Sequence, residues 1–431
     1  MLAMAERSWR ADAVLVGWGA LTFAALLASF MSFRPVRDAL VLDGKPDDIP
    51  WLFLGTFVAG LVASPLWSTF LARRQKRRVV PIAFHVFAGC ILVFSVLVRS
   101  GIDPVAVGRA FYIWSSVFNL FVVSVFWSLL ADLVGPEKAK ALFGPIAAGG
   151  TIGAIVGPML TTLLVEYIGV ANILVTSAVW LEVAVIGVWQ LRRHGEAVVA
   201  QPADEATPSD ATTGLVRVAK SPYLIAIVGY VLCTATAATF LYLEQASIVK
   251  DAFAHLAKDA ARVARTDFFG TLDTWTNITT FVVQTLVASR LLKWFGPGIV
   301  LCILPLAQLS AVIGLSTSAS LTVLAIAMVA TRAATHGLTR PARELLFTVV
   351  DREDKYHAKN AIDLVAYRFG DLGSSWLHKG LIALGAGSTA LVLASVPLTI
   401  GWVALAIGLG VGFRRRTSVH ALDERSTPPR E

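Results

Sequence analysis

A stretch late in the chain gathers ionisable groups where a lipid-soluble helix is otherwise expected. It reads Lys359-Asn360-Ala361-Ile362-Asp363-Leu364-Val365-Ala366-Tyr367-Arg368-Phe369-Gly370-Asp371-Leu372-Gly373. Asp363, Tyr367 and Asp371 recur at helical spacing, which puts them on one face with Arg368 adjacent. An ionisable side chain costs about 2.5–3.5 kcal/mol at the centre of a membrane helix on insertion scales. Such groups persist where they line a polar cavity, pair with each other or carry a ligand. Arg368 can pair with Asp273 or Asp363, or grip an anion with its planar fork of N–H donors.

Other polar groups interrupt apolar runs. Arg332, His336 and Arg340 lie at i, i+4 and i+8, with Thr335 and Thr339 beside them. On an α-helix that is one polar stripe. A lone His would read as a satisfied core residue, but two arginines beside it favour a cavity lining. Arg34 and Arg37 are three apart and share a face near Pro35. They either hold an anion or snorkel to the interface, with Asp38 as partner. Asn119 lies mid-run among Tyr112, Ser116, Ser124 and Trp127, where its amide needs a partner on a neighbouring helix or a ligand. Asp273, with Asn277 one turn on, reads as an arginine's partner or a proton site. The expected binding set is Arg37, Asn119, Arg332, His336, Tyr367 and Arg368. The expected charge-pairing or proton sites are Glu244, Asp273, Asp363 and Asp371. No His-Glu-x-x-His, Walker loop or paired-cysteine site occurs, so no enzyme activity, metal or cofactor is expected.

These residues sit in a chain of 431 residues, 56% hydrophobic and only 15% charged. A soluble domain carries about 25% charged residues. Apolar runs of about 20 residues recur from end to end, each able to cross a bilayer as a helix. The first is too long for the apolar segment of a signal peptide. The net charge of +8 sits in short loops between runs, as the positive-inside rule expects, which argues against a nucleic-acid surface. Cys90, Cys233 and Cys302 fall inside apolar runs as fillers. An all-α polytopic membrane protein of 12 transmembrane helices is expected. The spans fall near 13–33, 51–71, 79–98, 107–133, 141–165, 170–190, 222–243, 268–290, 297–316, 319–340, 361–384 and 388–412.

Residues 192–220, with Gln201-Pro202-Ala203-Asp204-Glu205, lack apolar periodicity and read as a linker. The expected domains are a six-helix half at 1–191, the linker at 192–220, a second half at 221–416 and a tail at 417–431. Arg73–Arg78, Lys138, Lys140, Arg192, Arg193, Arg343, Arg352, Lys355 and Arg414–Arg416 all fall on one side. That side, with the linker, the tail and both termini, is cytoplasmic by the positive-inside rule. Gln245–Thr266 on the other side reads as an amphipathic interfacial helix. Ala147-Ala148-Gly149-Gly150-Thr151-Ile152-Gly153 aligns with Tyr367–Gly373, a weak internal repeat. Two six-helix halves with a central cavity suggest the major facilitator architecture, with Arg37, Arg332 and Arg368 facing that cavity. In Gly149-Gly150-Thr151-Ile152-Gly153-Ala154-Ile155-Val156-Gly157-Pro158, glycines four apart make a groove for close helix packing. The same run resembles the fifth-helix motif of major facilitator antiporters.

Four segments together resemble the ATP/ADP translocase family of nucleotide exchangers and their free-living bacterial relatives. They are Arg34-Pro35-Val36-Arg37-Asp38-Ala39-Leu40, Phe118–Ser128, Arg340-Pro341-Ala342-Arg343-Glu344, and Lys359–Asp363 with Tyr367–Asp371. The resemblance implies a major facilitator-like secondary transporter that exchanges nucleotides by alternating access in a bacterial inner membrane. It places an important basic residue at Arg37 and an acidic one at Glu244. The chain departs from the family at Asp371, where a lysine is usual, and at Ser115–Ser116, where an acidic residue is usual. An organic anion is the expected substrate, with nucleotide the family-based favourite. The expected partners are that anion and the lipid bilayer, with no nucleic acid, for a monomer. The competing class is a receptor or scaffold that keeps the fold with closed ion-pair networks.

Overall fold

The computed structural model describes residues 2–72, 76–134, 136–194, 216, 218–351, 359, 362, 366–385 and 388–426. Every regular element among the described residues is helical. Helices α1 (Leu2–Val41), α2 (Ile49–Ala72), α3 (Lys76–Ser100), α4 (Pro104–Val134), α5 (Pro136–Ile168) and α6 (Val170–His194) follow in order. Then come α7 (Pro222–Ala252), α8 (Lys258–Val282), α9 (Ser289–Thr317), α10 (Leu321–Ala333), α11 (Arg340–Leu346), α12 (Tyr367–Ala383) and α13 (Ser388–Ser426). π-helical turns join α8 to α9 (Val283–Ala288) and α10 to α11 (Ala334–Thr339).

Among the described residues, nine helical stretches are long and apolar enough to cross a membrane. One of them, Lys258–Thr317, is 60 residues long and covers two expected spans. At 1.5 Å per residue it would extend about 90 Å, three times a hydrocarbon core. Gly296 breaks it with φ +74°, a left-handed conformation followed by Pro297. The amphipathic helix expected at 245–266 is not one element. Its first part ends α7 at Ala252, and its last part begins α8 at Lys258. The polar side chains Arg262 and Arg265 are buried there, so the amphipathic pattern serves an ion-pair cluster.

The chain divides into two compact units, Met1–Pro202 with Val249–Asn277, and Ala203–Ile248 with Ile278–Glu431. Most of the linker (195–215 and 217), Arg73–Gln75, Arg352, Lys355, Asp363 and the end of the tail (427–431) lie outside the described residues.

In the first unit, α1 and α4 run antiparallel along a ladder of rings. Phe23 stacks on Phe126 at 5.0 Å, Phe30 on Phe118 at 6.3 Å, and Phe33 meets Phe111 at 5.5 Å. Steps of 7 and 3 residues along α1, and of 8 and 7 along α4, keep the rings on one face. Aromatic pairs add about 0.5–1.5 kcal/mol each beyond area burial. On its other side α1 meets the glycine groove of α5. A Cβ at Gly149 would lie 2.2 Å from the Ala20 carbonyl oxygen, at Gly153 2.0 Å from that of Ala24, and at Gly157 2.7 Å from that of Ala28. Steps of four on both helices keep the two backbones in register. The glycine run therefore serves packing, as small residues do between membrane helices. Helix α8 lies against α5 in the same way. Asn277 donates to the Ala154 carbonyl at 2.7 Å, and a Cβ at Gly270 would lie 2.4 Å from the Thr162 hydroxyl.

In the second unit, Gly370 of α12 sits where a Cβ would come within 2.7 Å of the Ala235 methyl of α7. Gly298 of α9 and Gly410 of α13 meet backbone to backbone, a Cβ on Gly298 falling 2.6 Å from the Gly410 Cα. Tyr230, fully buried, donates to the Leu301 carbonyl at 2.8 Å and meets Trp402 edge to face. Through its glycines α12 meets α7 at one level, the Ala235 methyl, where α5 meets the α1 backbone at three. The aligned glycines Gly150 and Gly370 both press on the first helix of their own set, at Phe23 and Ala235. Gly153 and Gly373 do not correspond, because nothing lies within 4 Å of a Cβ on Gly373.

Candidate functional site

The first unit carries two ion-pair systems on α1. Arg37 donates to Asp38 Oδ1 from Nε at 2.9 Å and from a terminal nitrogen at 2.7 Å, and its guanidinium lies 4.9 Å from the Tyr112 ring centroid. Asp38 is buried with a side chain only 4% exposed. Arg34 turns elsewhere. Its guanidinium is 3.4 Å from Asp273 Oδ1 of α8, and Asp273 is 3% exposed. The two arginines that share a sequence face thus have separate carboxylate partners. Asp273 thus has a partner on α1.

Below Arg37, the Tyr112 carbonyl accepts from Ser115 at 2.8 Å and Ser116 at 3.1 Å. These hydroxyls satisfy local backbone, as serines in membrane helices commonly do. Asn119 is exposed on α4 and makes no hydrogen bond among the described residues.

In the second unit, α7 is the polar hub. Thr239 donates to Asp371 of α12 at 3.2 Å. Glu244 lies 3.5 Å from His378 of α12, whose ring also meets Phe240 edge to face at 5.1 Å. Gln245, 1% exposed, accepts from Arg332 of α10 at 3.1 Å. Three neighbouring groups of one helix therefore hold charged or titratable groups from two others. Tyr367 lies in the field of Arg340, Arg343, Arg368 and Asp371, and Arg368 acts on Asp371 one turn away. Arg368 is half-buried.

The stripe Arg332–His336–Arg340 does not keep α-helical register. The π-turn at Ala334–Thr339 winds more residues per turn, so His336 and Arg340 are exposed while Arg332 is half-buried. π-Turns cluster at functional sites, because they re-aim side chains at a cost in hydrogen bonding. This one abuts the other: a Cβ on Gly337 would lie 2.9 Å from Val283.

Sequence reasoning missed Thr239, Gln245 and His378. His378 follows Asp371 by seven residues, two turns along the same face, and that spacing could have found it. Among the described residues, no group of three or more His, Cys, Asp or Glu gathers as metal ligands.

The arrangement places arginine cations on packed helices beside carboxylate, amide and hydroxyl groups, a chemistry able to receive an anion. Apolar helices long enough to cross a membrane, packed through glycine contacts, define a multi-pass membrane protein. Residues 12–350 match the Major Facilitator Superfamily, and the chain belongs to that family. Residues 306–411, which hold Arg332 and Arg368, match the TLC ATP/ADP transporter family. The resemblance read from the sequence motifs is thereby supported independently.

Among curated proteins, the chain is 20% identical over 319 residues to ADP,ATP carrier protein 1 of Chlamydia muridarum, covering 64% of this chain and 58% of that one. It is 20% identical over 350 residues to ADP,ATP carrier protein 1 of Chlamydia trachomatis, covering 70% and 65%. The chain thus spans about three fifths of the length of these relatives. The crystal structure of the nucleoside transporter NupG superposes with a TM-score of 0.63 at 13% identity, covering 94% of this chain and 99% of that one. At that identity the likeness concerns the fold.

Proposed function

We propose that the chain is a secondary transporter of an organic anion, working by alternating access, with ATP/ADP exchange the first activity to test. The observation that carries this reading is the placement of the cations. The segment matching the ATP/ADP transporter family holds Arg332, Arg340, Arg343 and Arg368, with Arg368 beside Asp371 and Arg340 capping the π-turn. In this reading Arg37, Arg332 and Arg368 receive the anion, with His336, Tyr367 and Asn119 completing the polar lining. Glu244, Asp273, Asp363 and Asp371 hold cations in the empty state or take protons.

The same reading has twelve spans in two six-helix halves, 1–191 and 221–416, joined by 192–220 and ending in a tail at 417–431. Support comes from the aligned glycines Gly150 and Gly370, each of which meets the first helix of its own set. The basic loops favour a bacterial inner membrane with both termini and the tail cytoplasmic. The protein is taken to act as a monomer, with no cofactor. An uptake screen in proteoliposomes preloaded with candidate anions, including ATP and ADP, tests the proposal. Uptake above that of protein-free liposomes supports it, and none for any anion rejects it.

A further inference from the structure

A third charge cluster stands apart from the site already described, where the turn after α1 meets the start of α8. Asp43 lies two residues beyond the end of α1, and its side chain is 3% exposed. Arg262 reaches its Oδ2 from Nε at 2.8 Å and from a terminal nitrogen at 2.7 Å. Arg265, one turn along α8, approaches Oδ1 at 3.7 Å. Both arginines are buried, with side chains 9% and 8% exposed. Lys250 donates to the carbonyl of Gly44, next in the turn, at 2.5 Å.

The charges in this cluster do not balance. Two buried guanidiniums share one buried carboxylate. The other acid within reach, Asp259, contacts Arg262 at 3.2 Å but is 93% exposed, so water screens it. The Nε–H of Arg265 is buried and has no hydrogen-bond partner among the described residues. An unmatched buried donor on a cation is costly, and proteins retain one where a ligand completes it. The carboxylate that holds the pair sits in a turn, not in a helix. It can therefore withdraw without unwinding α1 or α8.

The geometry points to an anion-receiving site at Arg262 and Arg265, which Asp43 occupies from within the chain. Its ligand is an oxyanion, a phosphate or carboxylate group that replaces the Asp43 carboxylate and also satisfies the Arg265 Nε–H. Two guanidiniums three residues apart suit the several oxygens of a phosphate group better than they suit one carboxylate. The inference extends the anion-transporter reading to a second station for the same ligand chemistry. Its test reads binding, so the two ideas can fail separately.

The test uses the full chain in detergent, in a phosphate-free buffer. Thermal stability is followed as inorganic phosphate is added, with sodium chloride at equal ionic strength as control. The native chain should gain stability with phosphate beyond the chloride effect, and Arg265→Gln, which keeps the Arg262–Asp43 pair, should lose that gain. Asp43→Asn removes the internal competitor and should lower the half-saturating phosphate concentration by about tenfold, the equivalent of one strong charge-assisted contact. If the native chain shows no phosphate-specific gain, or Arg265→Gln keeps it in full, the site does not exist. Those two arms decide the matter even where Asp43→Asn does not yield folded protein.

Discussion

Substituting the glycines of α5 by alanine tests whether the α1–α5 contact is as close as the structure has it. A Cβ on Gly153 would stand 2.0 Å from the Ala24 carbonyl oxygen and 2.7 Å from its carbon. Carbon–oxygen contacts settle at about 3.3 Å or more, so the helices must part by about 1 Å at that level. The obstacle is backbone, which no side-chain rotation relieves. Overpacking costs about 1–3 kcal/mol, and this case belongs at the upper end. Alanine in a helix interior recovers about 0.5–1 kcal/mol over glycine. The net loss expected for Gly153→Ala is about 2 kcal/mol. Gly157→Ala, with its Cβ 2.7 Å from the Ala28 oxygen, should lose about half as much. Gly89→Ala on α3, with nothing within 4 Å of its Cβ, should be neutral or stabilising. Thermal unfolding of the purified chain in detergent, followed by circular dichroism, ranks the variants. A Gly153→Ala chain as stable as the Gly89→Ala chain would refute the backbone contact.

Three further substitutions address the charges. Arg34→Gln should destabilise the chain by about 2 kcal/mol, less than a fully buried pair because Arg34 keeps 23% exposure, and adding Asp273→Asn should restore part of the loss. A loss in the double variant equal to the sum of the Arg34→Gln and Asp273→Asn losses would show that the pair is uncoupled. Asp371→Lys should raise labelled ATP exchange over the native chain by replacing repulsion of the polyphosphate with attraction. A folded variant with unchanged or lower exchange counts against a phosphate-facing Asp371. With the native cysteines replaced by serine, Arg77→Cys should resist impermeant thiol reagents in intact cells, and labelling from outside would reverse the proposed topology.

The helices were legible because lipid exposure forces long apolar runs, nine of which form membrane-length helical stretches among the described residues. The glycine groove was legible too, since a step of four has one meaning between packed helices. Partner choice was not. Arg34 and Arg37 share a face by spacing, yet one finds Asp38 beside it and the other Asp273 far along the chain. A long, flexible arginine side chain reaches either way, and spacing on one helix cannot specify the neighbouring helix. The stripe Arg332–His336–Arg340 misled because a π-turn has the same local composition as the α-helix around it. The paired arginines Arg262 and Arg265 looked interfacial because their sequence alternates charged and apolar groups. Only packing shows that the charged side faces Asp43.

The central claim, transport of an anion through the cluster on α7, α10 and α12, is tested most directly by counterflow. Proteoliposomes are preloaded in turn with ATP, ADP and smaller organic anions, and uptake of the labelled form of each is followed for the native chain and for Arg332→Gln and Arg368→Gln. The account predicts saturable uptake of at least one anion by the native chain and its loss in both variants, while both retain the native melting profile. Uptake that survives both substitutions, or none above protein-free liposomes for any anion, would contradict it.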